Sequence, residues 1–382
     1  MRGSTKKEGG TWMYIVDLPR GPEGKRRQQK RRGFATRKAA EAALADVLTE
    51  VQRGTRVEPT KLTLSAFMSG HWFPVVEDRV RESTYDSYAR NYRLHLEPYL
   101  GSVPLQNLTP AMLNGLYREL AEKGLSPKTI RHVHTVARKA FRDAMRWGFL
   151  HRNPADASDP PRVERREMET WSAAEVRRFL HEVESDLYRC LFTVFCTTGM
   201  RRGEVLGLRW KDVDLSAGRL SVQQTLTSVN YKLVFGQPKT NRGRRSVPID
   251  LTTCEVLRQQ RKRWLKSRRT MGIGWQGDHD LVFTNPDGSP LHPDVVSDAF
   301  QRMNKLSGLP KIRLHDLRHT WATLALEERV PVKVVSEVLG HASPAFTLDI
   351  YSHVTPVMME DLARVVGETI FLSTDSSNAQ SN

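Results

Sequence analysis

The chain has 382 residues, 39% of them hydrophobic and 27% charged, with 59 Lys and Arg set against 43 Asp and Glu. That length can bury two or three cores, and a formal charge of +16 points to a polyanionic partner, since neutralising phosphates releases counterions. Cys190, Cys196 and Cys254 have no paired spacing, so neither a disulfide framework nor a zinc site is expected, and a reducing, cytoplasmic setting is. The N-terminus lacks an apolar signal core, and no run reaches the ~18 apolar residues of a membrane span, which argues against a membrane role.

Residues 1–60 read as a small strand-rich unit with one helix. A short strand is expected near Gly3. Residues 11–18 (TWMYIVDL) have strand composition, residues 19–24 form a turn, and residues 25–34 return as a second strand. Thr36 caps a helix running to about Gln52 and ended by Gly54. Between Arg20 and Lys38 nine basic residues stand against one acid, Glu23. Lys25, Arg26, Arg27, Lys30, Arg31 and Arg32 would give the sheet a cationic face able to enter a DNA groove.

Residues 61–152 look all-helical, with helix starts at Ser83-Thr84, Thr109-Pro110 and Ser126-Pro127. In the last of these helices Ile130, Val133, Ala137, Phe141 and Ala144 recur at helical spacing and form a core stripe. Its other face carries Lys128, Arg131, Lys139 and Arg142, of which Lys128 and Arg131 are candidate DNA contacts. Residues 153–167, with Asn153-Pro154 and Asp159-Pro160-Pro161, are expected to form a linker without regular structure.

Residues 168–372 mix helices with a small sheet. Ser172-x-x-Glu175 is a capping box, and a buried helix over 187–197 stops at Gly199. Residues 219–227, 231–235 and 244–249 alternate like strands of one small antiparallel sheet. Helices are expected over 294–307, 315–327 and 331–339. Residues 356–371 are amphipathic, and the polar tail over 373–382 reads as disordered. The fold class is mostly α with small β-sheets.

Several side chains suit the attack on a phosphodiester. Arg201 follows the break at Gly199, at a helix start where backbone N–H groups also favour an anion, and Glu204 is placed to orient it. Arg202 competes for the same role. His315 and Arg318 share a helix face at i and i+3, while His319 reads as structural. His341 follows Gly340, the expected left-handed helix stop. Tyr351 offers a phenol that needs a base and a positive field to ionise. Lys239 sits in a basic turn between two strands, where Arg242, Arg244 and Arg245 read as DNA backbone contacts.

The ordered set Arg201, Lys239, His315, Arg318, His341 and Tyr351 resembles the tyrosine recombinases, or phage-type integrases, over nearly all of the chain after about Lys61. The interval from His341 to Tyr351 is ten where many members have nine. The resemblance implies an arm-type DNA-binding domain over 1–60, a helical core-binding domain over 61–152 and a catalytic domain over 168–372. It implies that Tyr351 forms a 3′-phosphotyrosine bond and that Arg201 and Arg318 hold the non-bridging oxygens. Lys239 would protonate the leaving 5′ oxygen, His315 would accept the tyrosine proton or hold a phosphate oxygen, and His341 would hydrogen-bond the phosphate. No cofactor or metal is implied. The implied partners are double-stranded DNA at core and arm sites and three further copies of the chain in a tetramer, into which residues 356–371 would pack. An excisionase-type direction factor and a host DNA-bending protein are possible additions. Three readings compete with a mobile-element integrase: a chromosome- or plasmid-resolution recombinase, a type IB topoisomerase and an inactive DNA-binding regulator. The basic segment over 20–38 favours the integrase, acting on bacterial chromosomal and phage DNA.

Overall fold

A computed structural model describes residues 3–19, 27–52, 57, 59–164, 168–183, 185–238 and 243–341. The chain divides into two compact units, Met1–Arg165 and Arg166–Asn382.

The first unit opens with strands β1 (Gly3–Glu8), β2 (Thr11–Leu18) and β3 (Arg27–Phe34), antiparallel in that order. Helix α1 (Arg37–Gln52) packs on one face through Leu44, against Tyr14 and Val16. Its start is fixed by Thr36, whose Oγ1 accepts the Ala39 N–H at 3.2 Å. The register pairs Arg27 with Leu18, Gln29 with Val16 and Arg31 with Tyr14, but Lys30 with Ile15. Paired residues share a side and successive residues alternate. Arg27 and Arg31 therefore lie on the helix-bearing face. Lys30 lies on the open one, as does Arg32, which reaches Glu8 at 3.0 Å. The basic run expected to make one face is thus divided between two.

The rest of this unit is helical. α2 (Leu64–Phe67) and α3 (Phe73–Glu77) join through a π turn, as do α4 (Glu82–Asn91) and α5 (Glu97–Leu100); α6 (Pro110–Glu122) and α7 (Pro127–Arg146) follow. Thr109 and Ser126 cap α6 and α7, accepting the N–H groups of Met112 at 3.3 Å and Thr129 at 3.2 Å. The stripe of Ile130, Val133, Ala137, Phe141 and Ala144 is buried with Phe67, Trp72 and Leu113. Two expectations change. α4 begins at Glu82, with Arg81 as its N-cap, one residue ahead of Ser83. The linker contains a 3₁₀ turn, Pro154–Ala157, because the Asn153 side chain accepts the Ala155 N–H at 2.9 Å.

The second unit holds α8 (Ala173–Glu182), α9 (Asp186–Thr198), α10 (Arg202–Leu206), β4 (Val213–Asp214), β5 (Arg219–Val222), β6 (Thr225–Val229), β7 (Lys232–Gly236), β8 (Arg245–Pro248), α11 (Leu251–Met271), α12 (Pro293–Ser307), α13 (Asp316–Glu327) and α14 (Val332–Leu339). The Ser172–Glu175 capping box opens α8. The strand expected over 219–227 breaks at Gln223-Gln224, where the Gln224 side chain donates to the Gly207 carbonyl at 2.9 Å. The result is two sheets, β4-β5-β8 and the hairpin β6-β7, rather than one. The core gathers Trp171, Phe179, Phe192 and Phe300 with Leu317. Among the described residues no helix is long and apolar enough to cross a membrane.

Candidate phosphodiester site

Two helix ends in the second unit aim at one place. α9 ends at Gly199, whose φ of 61° is left-handed; α14 ends at Gly340, with φ 67°. A helix end leaves carbonyls without intrahelical partners and carries partial negative charge. Arg318, on α13 and only 4% exposed, answers both ends. Its Nη1 donates to the Gly199 carbonyl at 2.8 Å and its Nη2 to the Leu339 carbonyl at 2.7 Å. A buried guanidinium is thereby solvated by two helix termini.

Arg201 is the N-cap of α10. The Glu204 carboxylate accepts its backbone N–H at 2.9 Å and its Nη1 at 2.9 Å, and Arg201 Nη2 donates to the Gly340 carbonyl at 3.3 Å. The Arg201 side chain remains 40% exposed, so it is held on one edge and open on another. Arg202, its rival, turns to α12, donating to the Pro293 carbonyl at 3.1 Å and to Ser297 Oγ at 2.7 Å.

Arg245, expected to touch DNA, is instead buried. Its side chain is 7% exposed and meets the 2% exposed Glu204 in a two-pronged grip, Nη1 to Oε1 at 3.2 Å and Nη2 to Oε2 at 2.9 Å. Its Nε donates to the Val338 carbonyl. The misreading has a physical cause: Arg245 shares the inward face of β8 with buried Val247, and the alternation Arg245-Val247-Ile249 was the available signal. Burial works to raise the Glu204 pKa, but the Arg245 hydrogen bonds and charge, with Arg201, outweigh it and hold the carboxyl below its usual range.

The imidazoles surround these arginines. His315 occupies the N-cap position of α13 without a side-chain capping bond. Burial lowers its pKa, and the charges of Arg318 and Arg201 lower it further. His341 follows Gly340, and its own N–H donates to the Ser336 carbonyl at 3.0 Å. Burial, then Arg318, Arg201, His319 and Arg245, push its pKa down to about 3. His319 is not set apart: its ring stands perpendicular to that of His315 with centroids 5.3 Å apart. Burial and His315 lower its pKa to about 4. At neutral pH all three rings are uncharged, each able to accept or donate one hydrogen bond per nitrogen.

Arg201, His315, Arg318 and His341 are therefore together, with Arg201, Arg245 and Arg318 setting three positive charges against the Glu204 carboxylate. Such a site attracts an anion. Lys239, Arg242 and Tyr351 lie outside the described residues, as do Lys25 and Arg26 and residues 342–382. Arg244 is exposed beside the Gln237 side chain, at 2.8 Å. Burial pushes the Cys190 and Cys196 thiols up to about 12, so neither offers a thiolate. Among the described residues no three His, Cys, Asp or Glu side chains gather as a metal ion would require.

In the first unit Lys128 and Arg131 are exposed on α7. Beside them is a cleft of about 250 Å³ lined by Ser87, Arg90, Asn91 and His95 with Thr129 and His132. The sequence reading passed over Arg90, His95 and His132, because helix pairing, not spacing along one helix, brings them together.

Three family models match the chain in order: an arm DNA-binding domain over residues 4–51, the SAM-like N-terminal domain of phage integrases over 63–121 and the phage integrase family over 170–357. The chain is 29% identical over 339 residues to a tyrosine recombinase XerC-like protein of Caldanaerobacter subterraneus subsp. tengcongensis, covering 84% of this chain and 87% of that one. It is 26% identical over 362 residues to the ICEBs1 integrase of Bacillus subtilis, covering 94% and 97%. In fold it is similar to the Tn1549 transposon integrase solved with transposon right end DNA (TM-score 0.67, 22% identity, 79% of this chain and 99% of that one). It is also similar to the lambda integrase tetramer on a Holliday junction (TM-score 0.58, 20% identity, 89% and 92%). The chain belongs to the phage integrase family of tyrosine recombinases.

Proposed function

We propose that the protein is a site-specific DNA recombinase of a phage or other mobile element, which cuts and rejoins DNA through Tyr351. The observation that carries this reading is the convergence of Arg201 and Arg318 with His315 and His341 around the ends of α9 and α14. The Tyr351 oxygen attacks the scissile phosphorus, and the bond from phosphorus to the 5′ oxygen breaks. A 3′-phosphotyrosine ester and a 5′-hydroxyl result. The phenol proton goes to neutral His315, and Lys239 protonates the departing oxygen. Arg201 and Arg318 face the non-bridging oxygens, where charge builds in the transition state. His341, held neutral, donates one N–H to the same phosphate. The 5′-hydroxyl of a partner strand reverses the step, so the bond energy is retained in the ester and no nucleotide is consumed.

The N-terminal sheet reads arm sites outside the crossover, and Lys30 and Arg32 on its open face supply phosphate contacts. Lys128 and Arg131, with the cleft of Arg90 and His132, grip core DNA. Arg27, Arg31 and Arg244 are peripheral contacts. The presence of an arm DNA-binding domain favours a mobile-element integrase over a chromosome-resolution enzyme. The solved relatives on transposon and Holliday-junction DNA support DNA and further copies of this chain as partners. A direction factor and a host bending protein would be additions that those relatives do not bear on. The test uses nicked core-site duplex, which traps the covalent adduct. Wild-type protein is expected to shift on a denaturing gel and Tyr351→Phe to give no adduct; an adduct retained by Tyr351→Phe refutes the assignment.

A further inference from the structure

Three successive carbonyls at the end of α14 each receive a different arginine. Arg245 of β8 donates to Val338, Arg318 of α13 to Leu339 at 2.7 Å, and Arg201 of α10 to Gly340 at 3.3 Å. Two of these arginines face the proposed phosphate. The third, Arg245, has a side chain 7% exposed and is the one gripped at both Nη groups by the Glu204 carboxylate. All its described bonds are internal: both oxygens of Glu204, the Val338 carbonyl and the Gly243 carbonyl at 3.3 Å.

We propose that Arg245 is a positioning residue for strand cleavage, fixing Arg201 through Glu204 and fixing the α14 end that leads into His341 through Val338. The inference rests on the cleavage reading above. Glu204 holds Arg201 at two points, its backbone N–H and Nη1, but only as a carboxylate. A carboxyl this deep in protein favours its neutral form unless a cation pairs with it. Arg245 supplies that cation in fork geometry, which lysine cannot copy. Its Nε bond to Val338 then ties the same network to the turn before His341. The Gly243 carbonyl brings in the residue four positions after Lys239 in the sequence.

Loss of the fork therefore has a signature that simple destabilisation lacks. In Arg245→Gln, Glu204 protonates at a higher pH, Arg201 loses its anchor, and cleavage slows while DNA affinity stays near wild type. A misplacement of about 1 Å costs on the order of 100-fold, and that is the drop expected for full-length Arg245→Gln in single-turnover adduct formation at neutral pH. The rate should recover partly as pH rises and Glu204 ionises. Arg245→Lys keeps the charge, so its pH profile should return towards wild type while its rate stays low. A wild-type rate and profile in Arg245→Gln overturns the inference. Should Arg245→Gln melt early and fail to fold, Arg245→Lys decides, and a wild-type rate there overturns it equally. A ¹³C carboxyl titration of Glu204 in the full chain, assigned with Glu204→Gln, reads the coupling without DNA. The Glu204 titration should move upward in Arg245→Gln and return towards wild type in Arg245→Lys, and an unmoved titration in Arg245→Gln counts against the inference. A wild-type protein that makes no adduct defeats the cleavage reading alone.

Discussion

Arg201 and Arg202 are neighbours in the chain, yet their guanidinium groups end on different elements: Arg201 on Glu204 and the Gly340 carbonyl, Arg202 on the Pro293 carbonyl and Ser297. The split follows from the N-cap, where Arg201 has extended dihedrals (φ −72°, ψ 152°) and Arg202 is already helical. Arg201→Ala is expected to lower adduct formation by about 10²–10³-fold, the cost of removing a preorganised donor. Arg202→Ala should cleave at close to the wild-type rate and lose less than about 1 kcal/mol of stability, as for a partly exposed ion pair. Parallel single-turnover assays and denaturant melts check both, and equal loss in the two variants would remove the basis for choosing Arg201.

Gly199 is a second point of leverage. With φ at 61°, a Cβ there would stand 2.8 Å from Trp321 Cε3 and 2.9 Å from Leu339 Cδ2. Gly199→Ala should destabilise the protein by about 1–3 kcal/mol from backbone conformation alone, with the ring clash added. It should also displace the carbonyl that holds Arg318, so cleavage falls further than folding does. Urea unfolding alongside adduct formation at a temperature where the variant is folded separates the two effects.

The depressed histidines predict acid sensitivity. His341, at about 3, and His319, at about 4, lie below the unfolded value of about 6.5. Protonation then favours the unfolded chain, so the stability these rings support is intact above about pH 6.5 and is lost as pH falls towards about 4. For His341 alone the loss by about pH 5 is of order 1–2 kcal/mol. Denaturant melts of His341→Gln should show a flatter pH dependence than wild type. Bound phosphate offsets the field of Arg318, Arg201 and Arg245, so core DNA should protect against acid beyond its effect at neutral pH.

The divided arm sheet makes a fourth prediction. Lys30→Ala combined with Arg32→Ala should reduce the salt slope of arm-duplex binding by about 2, one for each phosphate left without its cation. Arg27→Ala with Arg31→Ala should change it less, because those residues share the face that carries α1 and Arg31 packs over the Phe34 ring at 5.8 Å. Fluorescence anisotropy across a salt series would decide, and equal slopes would mean that the open face is not the reading face.

Much of this was legible in the sequence, for identifiable reasons. β2 has unbroken strand composition between turn signals, and α6, α7 and α8 carry caps that name their own first turns. The site arginines could be ordered because Gly199 and Gly340 mark helix stops by backbone chemistry alone. α11 was not read: its 21 residues are crowded with cations, and its buried Leu257 and Trp264 are too few for a clear apolar stripe. The break at Gln223-Gln224 depends on a bond to a carbonyl in another element, Gly207, which local pattern cannot reveal. Arg245 was misplaced because neighbouring Arg242 and Arg244 drew it into a surface run, although strand alternation turned it inward. His319 was set aside on angle alone, before packing brought its ring against His315.

The short helix that receives three arginines also constrains how the gene can drift. Adding or deleting one residue within Val332–Leu339 would rotate the terminal carbonyls by about 100° and unhook Arg245, Arg318 and Arg201 together. No compensating point change could restore all three, since they come from separate stretches of chain. Length variation among descendants of this protein should therefore spare that octapeptide and collect where, among the described residues, no arginine holds a helix-end carbonyl, as in the glycine-containing stretch that follows α11.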